Sequence, residues 1–186
     1  AVGESSDAQP ATVEAQPVVN DLSEAETRKL YIDLLLHEAG WTVTEQVGKI
    51  VPRQAGIEIE VQGMPNESGM GYADYVLFDA DVTPLAVVEA KRTSVDAVAG
   101  RHQAELYADC LAARYVCPRP VIYYTNGFET NIIDGIGYPS RKVMGFHTID
   151  ELRRMIAQRG RADITDLQIS DRITNRNYQK RMIESA

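Results

Sequence analysis

The chain has 186 residues, a formal net charge of −8 and a hydrophobic content of 44%, values typical of one globular domain that buries its own core. No stretch approaches the roughly 20 apolar residues of a membrane span, so we expect no membrane partner. Two cysteines are too few for a disulfide framework and favour a reducing, cytoplasmic compartment, and no Cys or His pair has zinc-site spacing.

The charge is unevenly distributed along the chain. Residues 1–20 are rich in Ala, Pro, Ser and acids without periodicity, which predicts a disordered or linker segment. Residues 1–27 hold six acids and no base, whereas residues 153–181 hold eight bases and three acids. A nucleic-acid partner therefore remains compatible with the negative total, because a local basic patch can supply the attraction to phosphate.

The first predicted element is a helix over residues 23–40. Ser23 is a candidate N-cap, and Glu26 three residues later would complete a capping box. Gly40 is expected to end the helix. The apolar stripe expected to face the core consists of Leu30, Tyr31, Leu34 and Leu35.

Apolar runs further along the chain predict strands at residues 41–47, 56–63, 72–78, 84–91, 119–127, 128–134 and 143–147. The runs at 72–78 and 84–91 are joined by a short acidic turn and predict a hairpin. Helices are predicted at residues 94–115, with Ser94 as a candidate cap, and at 148–160. This order predicts an α/β (α+β) fold in which helices flank a central mixed β-sheet.

The stretch "PLAVVEAKRTS" ends an apolar strand with two ionisable groups. Residues i and i+2 of a strand share a face, so Glu89 and Lys91 point the same way, and hairpin pairing would bring Asp74 close to Glu89. Two carboxylates suit Mg²⁺, and a nearby lysine can orient a water or stabilise charge on a phosphorane, which is the chemistry of phosphodiester hydrolysis. From spacing alone, the alternative is a solvated strand end with a cross-strand salt bridge.

Four segments occur in the order "GYADYVLFD", "PLAVVEAKRTS", "GRHQAELYAD" and "PVIYYTNGFETNIID". Together they closely resemble the N-terminal nuclease domain of the motor (R) subunit of type I restriction enzymes, over residues 23–186. The resemblance implies a restriction-endonuclease-like core, a PD-(D/E)xK nuclease domain at residues 21–160, and Mg²⁺-dependent hydrolysis of DNA. The residues it implies are Asp74, Glu89 and Lys91 as the catalytic set, with Asp74 and Glu89 as the metal ligands.

Three further residues are candidates for accessory roles. Gln103 and Tyr107 stand at i and i+4 of a predicted helix and share one face. The resemblance implies the Gln-x-x-x-Tyr element of nucleases that work with translocating motors, and an ordinary amphipathic helix is the alternative. It also offers Glu26 as an acidic residue near the metal, whereas the capping box explains Glu26 structurally.

Residues 161–186 resemble a connector that leads into a helicase motor, with Gln179 as the candidate adenine contact. No Gly-x-x-x-x-Gly-Lys-Ser/Thr loop is present, so we expect ATP to serve only a motor absent from this fragment. The resemblance implies double-stranded DNA, methyltransferase and specificity subunits, and the motor of the same parent chain as partners. The alternatives are a catalytically lapsed DNA-contacting or subunit-docking module of the same fold, and a free-standing PD-(D/E)xK nuclease.

Overall fold

A computed structural model of the chain describes residues 23–159. The expectations for residues 1–20, for residues 161–186 and for Gln179 lie outside the described residues. Within them, no helix is long and apolar enough to cross a membrane. The two cysteines, Cys110 and Cys117, are free thiols.

Within residues 23–159, seven strands form one sheet whose spatial order follows the chain. The β1–β2 and β4–β5 pairs are parallel, and the other four neighbouring pairs are antiparallel. The sheet is therefore mixed, as the sequence predicts, and its borders are two very short strands. The strands are β1 Thr42–Val43, β2 Gln54–Gln62, β3 Met70–Phe78, β4 Pro84–Ala90, β5 Val121–Thr125, β6 Thr130–Ile133 and β7 Arg141–Val143.

Helices cover both faces of the sheet, which gives the mixed α/β fold that the sequence predicts. Helix α1 consists of α-helical Glu24–Thr27, a π-helical turn Arg28–Ile32 and α-helical Asp33–Glu38. Helix α2 is Arg101–Tyr115, after a 3₁₀ turn, and helix α3 is Ile149–Gln158. Helices α1 and α3 bury Ile32, Leu36 and Leu152 on one face of the sheet, and α2 buries Ala104, Tyr107, Ala108 and Leu111 on the other.

The prediction that the apolar stripe of α1 faces the core is wrong for Leu30 and Leu34. Leu30 and Leu34 are 56% and 57% exposed, and the fully buried positions are instead Thr27, Ile32 and Leu36. The step from Thr27 to Ile32 is five residues, which is the i→i+5 period of a π turn rather than the period of a regular α-helix. The π turn rotates the helix face, and it also sets the direction in which Arg28 leaves the helix.

Other boundaries differ from the sequence expectations for local reasons. The strand expected at 41–47 is only Thr42–Val43, and the one expected at 143–147 is Arg141–Val143. Phe146 and His147 are held by their side chains instead, since Phe146 is buried and the His147 ring bonds to the Tyr123 hydroxyl at 2.6 Å. The cap before α2 is Asp96, which accepts from the Val98 N–H at 2.9 Å, and Ser94 does not cap it.

Candidate active site

The hairpin of β3 and β4 brings Asp74 to the segment that carries Glu89 and Lys91. The ladder ends at the pair Tyr75–Val88, and one further step along the same register places Asp74 opposite Glu89. The two strands separate at this point, and residues 70–73 of β3 continue to pair with β2 alone. The Asp74 Oδ2 accepts a hydrogen bond of 2.7 Å from the Ala90 N–H, so its carboxylate is fixed to the backbone between Glu89 and Lys91.

Glu89 and Lys91 form a largely buried ion pair on the α2 face of the sheet. Lys91 Nζ lies 2.9 Å from Glu89 Oε1, and the two side chains are 19% and 4% exposed. The Lys91 N–H donates to the Thr125 carbonyl at 2.8 Å, which holds the end of β4 on β5. A buried carboxylate is costly unless a cation and hydrogen bonds compensate it, and Lys91 supplies the cation for Glu89.

Gln103 and Tyr107 extend this pair into a chain of hydrogen bonds along α2. The Gln103 Oε1 accepts from Lys91 Nζ at 3.3 Å, and the Gln103 Nε2 donates to the Tyr107 hydroxyl at 2.7 Å. Burial raises the pKa of Tyr107, and the charges of Glu89 and Asp74 raise it further. The hydroxyl therefore stays protonated near neutral pH, and the Gln103 amide is oriented with its oxygen toward the lysine.

Two glycines allow these groups to approach one another. A Cβ on Gly71 would lie 2.7 Å from the Tyr107 ring, and a Cβ on Gly100 would lie 3.0 Å from the Glu89 side chain. Both distances are at or below the closest approach of real side-chain carbons. Helix α2 can therefore lie directly against the strand ends only because these positions have no side chain.

We expect Tyr107→Phe to lower the free energy of unfolding by about 1 kcal/mol, because the partly buried Gln103 amide loses its acceptor. Urea unfolding of the variant and of the wild-type chain measures the difference. Tyr138→Phe is the matched control, since Tyr138 is 68% exposed and should change stability little. Equal losses in both variants would show that the hydroxyl network contributes nothing.

Arg28 and Glu58 also belong to this group, although the sequence did not point to either. Arg28 Nη1 lies 3.0 Å from Asp74 Oδ1, and Nη2 lies 3.2 Å from Glu58 Oε1. Glu58 stands opposite Asp74, between the pairs Ile57–Tyr75 and Ile59–Ala73. A π turn and a positive φ of 47° at a glutamate are rare features, and neither has a clear sequence signal.

At Glu58 and Asp74 both strands change the face that they present to the core. Ile57 and Tyr75 pack with the α1 side, whereas Ile59 and Ala73 pack with the α2 side. In a regular strand, residues two apart share a face. Because of this irregularity, Asp74 can contact Arg28 of helix α1, which covers one face of the sheet, and the Glu89–Lys91 segment beside helix α2, which covers the other.

Glu26 takes the capping role rather than joining this group. Its Oε2 lies 2.7 Å from the Ser23 hydroxyl and 3.0 Å from the Ser23 N–H, and these hydrogen bonds lower the pKa of Glu26. The Ser23 hydroxyl in turn accepts from the Glu26 N–H at 3.3 Å. Helix α1 therefore contacts Asp74 through Arg28, two residues further along the chain.

The turn that follows β5 holds the loop beyond Lys91. The Asn126 side chain donates to the Val95 carbonyl at 2.9 Å and accepts from the Glu129 N–H at 2.9 Å. Gly127 has a φ of 89°, and a Cβ there would lie 2.8 Å from the Thr27 side chain. The "TNG" sequence therefore joins three segments, namely the loop after β4, the end of β5 and helix α1.

The carboxylates of Asp74 and Glu89 suit a hard divalent cation that takes only some of its ligands from the protein. Among residues 23–159, no three His, Cys, Asp or Glu side chains group closely enough to bind a metal by themselves. Mg²⁺ usually keeps several waters and needs only one or two carboxylates beside a substrate phosphate. Asp74 and Glu89, on facing strand ends, fit that requirement and could hold the ion.

Three comparisons with known proteins agree with one another. A family model described as the second domain of the type I restriction enzyme EcoKI endonuclease subunit matches residues 48–128. This segment contains Glu58, Asp74, Glu89, Lys91, Gln103 and Tyr107. The EcoKI endonuclease subunit of Escherichia coli (strain K12) is 38% identical over an alignment of 97 residues, and the match covers 48% of this chain and 8% of that subunit.

A solved structure is also similar to this chain. It is a fragment described as an HsdR subunit of a type I restriction enzyme from Vibrio vulnificus YJ016, with a TM-score of 0.57 and 26% identity. The match covers 79% of this chain and 28% of that one. The chain thus spans a small part of the relatives it matches. The resemblance inferred from its motifs is confirmed.

Proposed function

We propose that this chain, which is related to the N-terminal region of type I restriction enzyme R subunits, is a Mg²⁺-dependent endonuclease domain that hydrolyses DNA phosphodiester bonds. One observation carries the proposal. Asp74 is hydrogen-bonded to the Ala90 N–H at 2.7 Å, so three groups suited to phosphodiester chemistry converge where β3 and β4 separate. In a solvated strand end, Glu89 would not be as little as 3% exposed, and Lys91 would not be hydrogen-bonded to Gln103.

In this proposal the protein groups have separate tasks. Asp74 and Glu89 would hold Mg²⁺, and the bound ion would supply Lewis-acid polarisation of a phosphoryl oxygen and of a water. Lys91 stabilises the negative charge that develops on the phosphorane and orients the attacking water. Gln103 fixes the position of the Lys91 ammonium through the 3.3 Å contact, and the buried Tyr107 hydroxyl fixes Gln103. Catalysis then depends on groups that are already positioned before DNA arrives.

We also propose the setting in which this domain works. Its relatives are subunits of type I restriction enzymes, which supports double-stranded DNA as the substrate and a restriction complex as the assembly. In that assembly, methyltransferase and specificity subunits choose the site, and a helicase motor in the same parent chain moves DNA with ATP. The acidic total of −8 fits a domain whose DNA is held mainly by other parts of the complex.

The test combines cation binding with DNA cleavage in an Asp74→Asn variant. We expect calorimetry to show loss of a Mn²⁺ or Mg²⁺ site, because the amide keeps the shape of the side chain but not its charge. The assembled restriction complex carrying this variant should fail to linearise a circular plasmid. Asp150→Asn is the matched control, since that side chain is 75% exposed on α3. Wild-type metal binding and cleavage in Asp74→Asn would refute the assignment.

A wild-type chain that binds no divalent cation, within a complex that does not cut DNA, would favour the lapsed module. That module would share the fold but act only by contacting DNA or docking a subunit. Cutting by the isolated chain, without other subunits, would favour the free-standing nuclease. Cation binding, cleavage by the complex and cleavage by the isolated chain therefore distinguish the three functions.

A further inference from the structure

We propose that Arg28 is a displaceable counter-ion of the cation site. It neutralises Asp74 when no metal is bound and leaves Asp74 when a divalent cation takes its place, and Glu58 retains the guanidinium. This inference rests on the proposed function of the same site and adds the exchange that must precede catalysis. It assigns roles to two residues, Arg28 and Glu58, that the catalytic set of the family does not require.

The two oxygens of Asp74 have different partners. Oδ2 accepts from the backbone of Ala90, which is fully buried, and losing that contact would disturb the strand. Oδ1 lies 3.0 Å from Arg28, and the two side chains are 21% exposed for Arg28 and 18% for Asp74. Both side chains remain partly exposed, so water and a small cation can reach Oδ1. Oδ1 can therefore exchange its cation while Oδ2 keeps the carboxylate in place.

Glu58 can hold the guanidinium of Arg28 after it leaves Asp74. Arg28 Nη2 lies 3.2 Å from Glu58 Oε1, whose side chain is 43% exposed. One guanidinium thus divides its two ends between facing carboxylates on β2 and β3, a geometry that suits arginine and not lysine. A small rotation that releases Nη1 from Asp74 can keep the contact to Glu58. The positive φ of Glu58 is the kind of strained conformation that persists where the surroundings require it.

Helix α1 can stay in place during this exchange. Arg28 is the first residue of the π turn, and single π turns often occur at functional sites. One turn later, Asp33 accepts a hydrogen bond of 2.6 Å from the buried Tyr75 hydroxyl, which anchors the helix to β3 next to Asp74. The exchange therefore needs only the Arg28 side chain to move.

The first test is Mn²⁺ titration of the 186-residue chain by calorimetry. We expect Arg28→Gln to bind Mn²⁺ at least about fivefold more tightly than wild type, because the metal no longer has to displace the guanidinium from Asp74, and about fivefold is the upper end for exposed ion pairs. Arg154→Gln is the charge-matched control, because it removes an arginine from an exposed position on α3. That variant should bind Mn²⁺ as wild type does.

The second measurement, urea unfolding, distinguishes a direct contact between Arg28 and Asp74 from a repulsion of the metal by Arg28 at a distance. Without metal, Arg28→Gln should unfold at lower urea concentration than wild type, since Asp74 and Glu58 lose their shared counter-charge. With saturating Mn²⁺ the difference should narrow, because the metal supplies the counter-charge at Asp74 to both proteins, whereas only wild type keeps the contact between Arg28 and Glu58. If Arg28 only repelled the metal from a distance, its removal would not destabilise the metal-free chain, and the inference would fail.

A double-mutant cycle tests the part given to Glu58. Glu58→Gln should weaken Mn²⁺ binding in the wild-type background, since the displaced guanidinium loses its second partner. The same substitution should have no effect in the Arg28→Gln background. Equal weakening in both backgrounds would mean that Glu58 itself binds the metal, which would overturn its role as the holder of Arg28.

The inference and the proposed function fail in distinguishable ways. If Asp74→Asn abolishes Mn²⁺ binding but Arg28→Gln binds no more tightly than wild type, the exchange is wrong and the proposed site stands. If Asp74→Asn binds Mn²⁺ as wild type does, the site is elsewhere, and both proposals fall.

Discussion

Replacing Lys91 with methionine should reduce plasmid linearisation by a factor of about 10²–10³, the usual effect of removing one group that stabilises transition-state charge. Methionine keeps the length and apolar stem of the side chain but cannot donate to the phosphorane or to Gln103. The measurement is the single-turnover rate of linearisation by the assembled complex with Mg²⁺. Lys142→Met is the control, because Lys142 is 69% exposed on β7 and should leave the rate unchanged.

The same substitution should also affect stability. Glu89 is 3% exposed, and losing Lys91 leaves this buried carboxylate with one counter-charge fewer, which is costly. Added Mn²⁺ should restore part of the lost stability if Glu89 is a metal ligand. Cleavage must therefore be compared at a temperature where circular dichroism shows Lys91→Met still folded. Wild-type cleavage by the folded variant would remove Lys91 from the catalytic set.

Gly127→Ala should destabilise the chain by about 2–4 kcal/mol, from a left-handed backbone that costs about 1 kcal/mol and overpacking that costs about 1–3 kcal/mol. The added methyl would meet the Thr27 side chain at 2.8 Å. Thr27 is fully buried within α1 and has little freedom to move away. Urea unfolding measures the loss of free energy.

Gly40→Ala is a matched control for the backbone contribution. Gly40 has a φ of 83°, close to the 89° of Gly127, but a Cβ at Gly40 would have no other atom within 4 Å. The substitution should therefore cost only about 1 kcal/mol, which is the cost of the left-handed conformation alone. Equal losses at both positions would show that the contact between Gly127 and Thr27 is relaxed without cost.

The sequence predicted those parts of the molecule that local patterns determine. The hairpin of 72–78 and 84–91, the capping box of Ser23 and Glu26, and the mixed sheet with flanking helices all follow from periodicity and turn chemistry. The position of Asp74 beside Glu89 follows in the same way, because an antiparallel hairpin with a short turn fixes which residues face one another. The chemistry proposed for that position remains a prediction.

The parts that sequence could not predict depend on departures from regular geometry. Leu30 and Leu34 match a helical stripe, yet the π turn turns them outward and turns Ile32 inward. Glu58 lies in "GIEIEVQG", which alternates as a regular strand would, and nothing in that pattern indicates its positive φ. The ion pairs of Arg28 join residues 30 and 46 positions apart, and such contacts are set by tertiary packing rather than by spacing.

The short strands that border the sheet within residues 23–159 limit how other proteins can attach to it. β1 has two residues and β7 has three, with Arg141 and Lys142 on β7. Brief edges offer few unpaired backbone groups, and the charges on β7 further discourage edge-to-edge aggregation. A neighbouring subunit is therefore more easily accommodated by side-chain contacts on the helices and loops than by a strand added to either border.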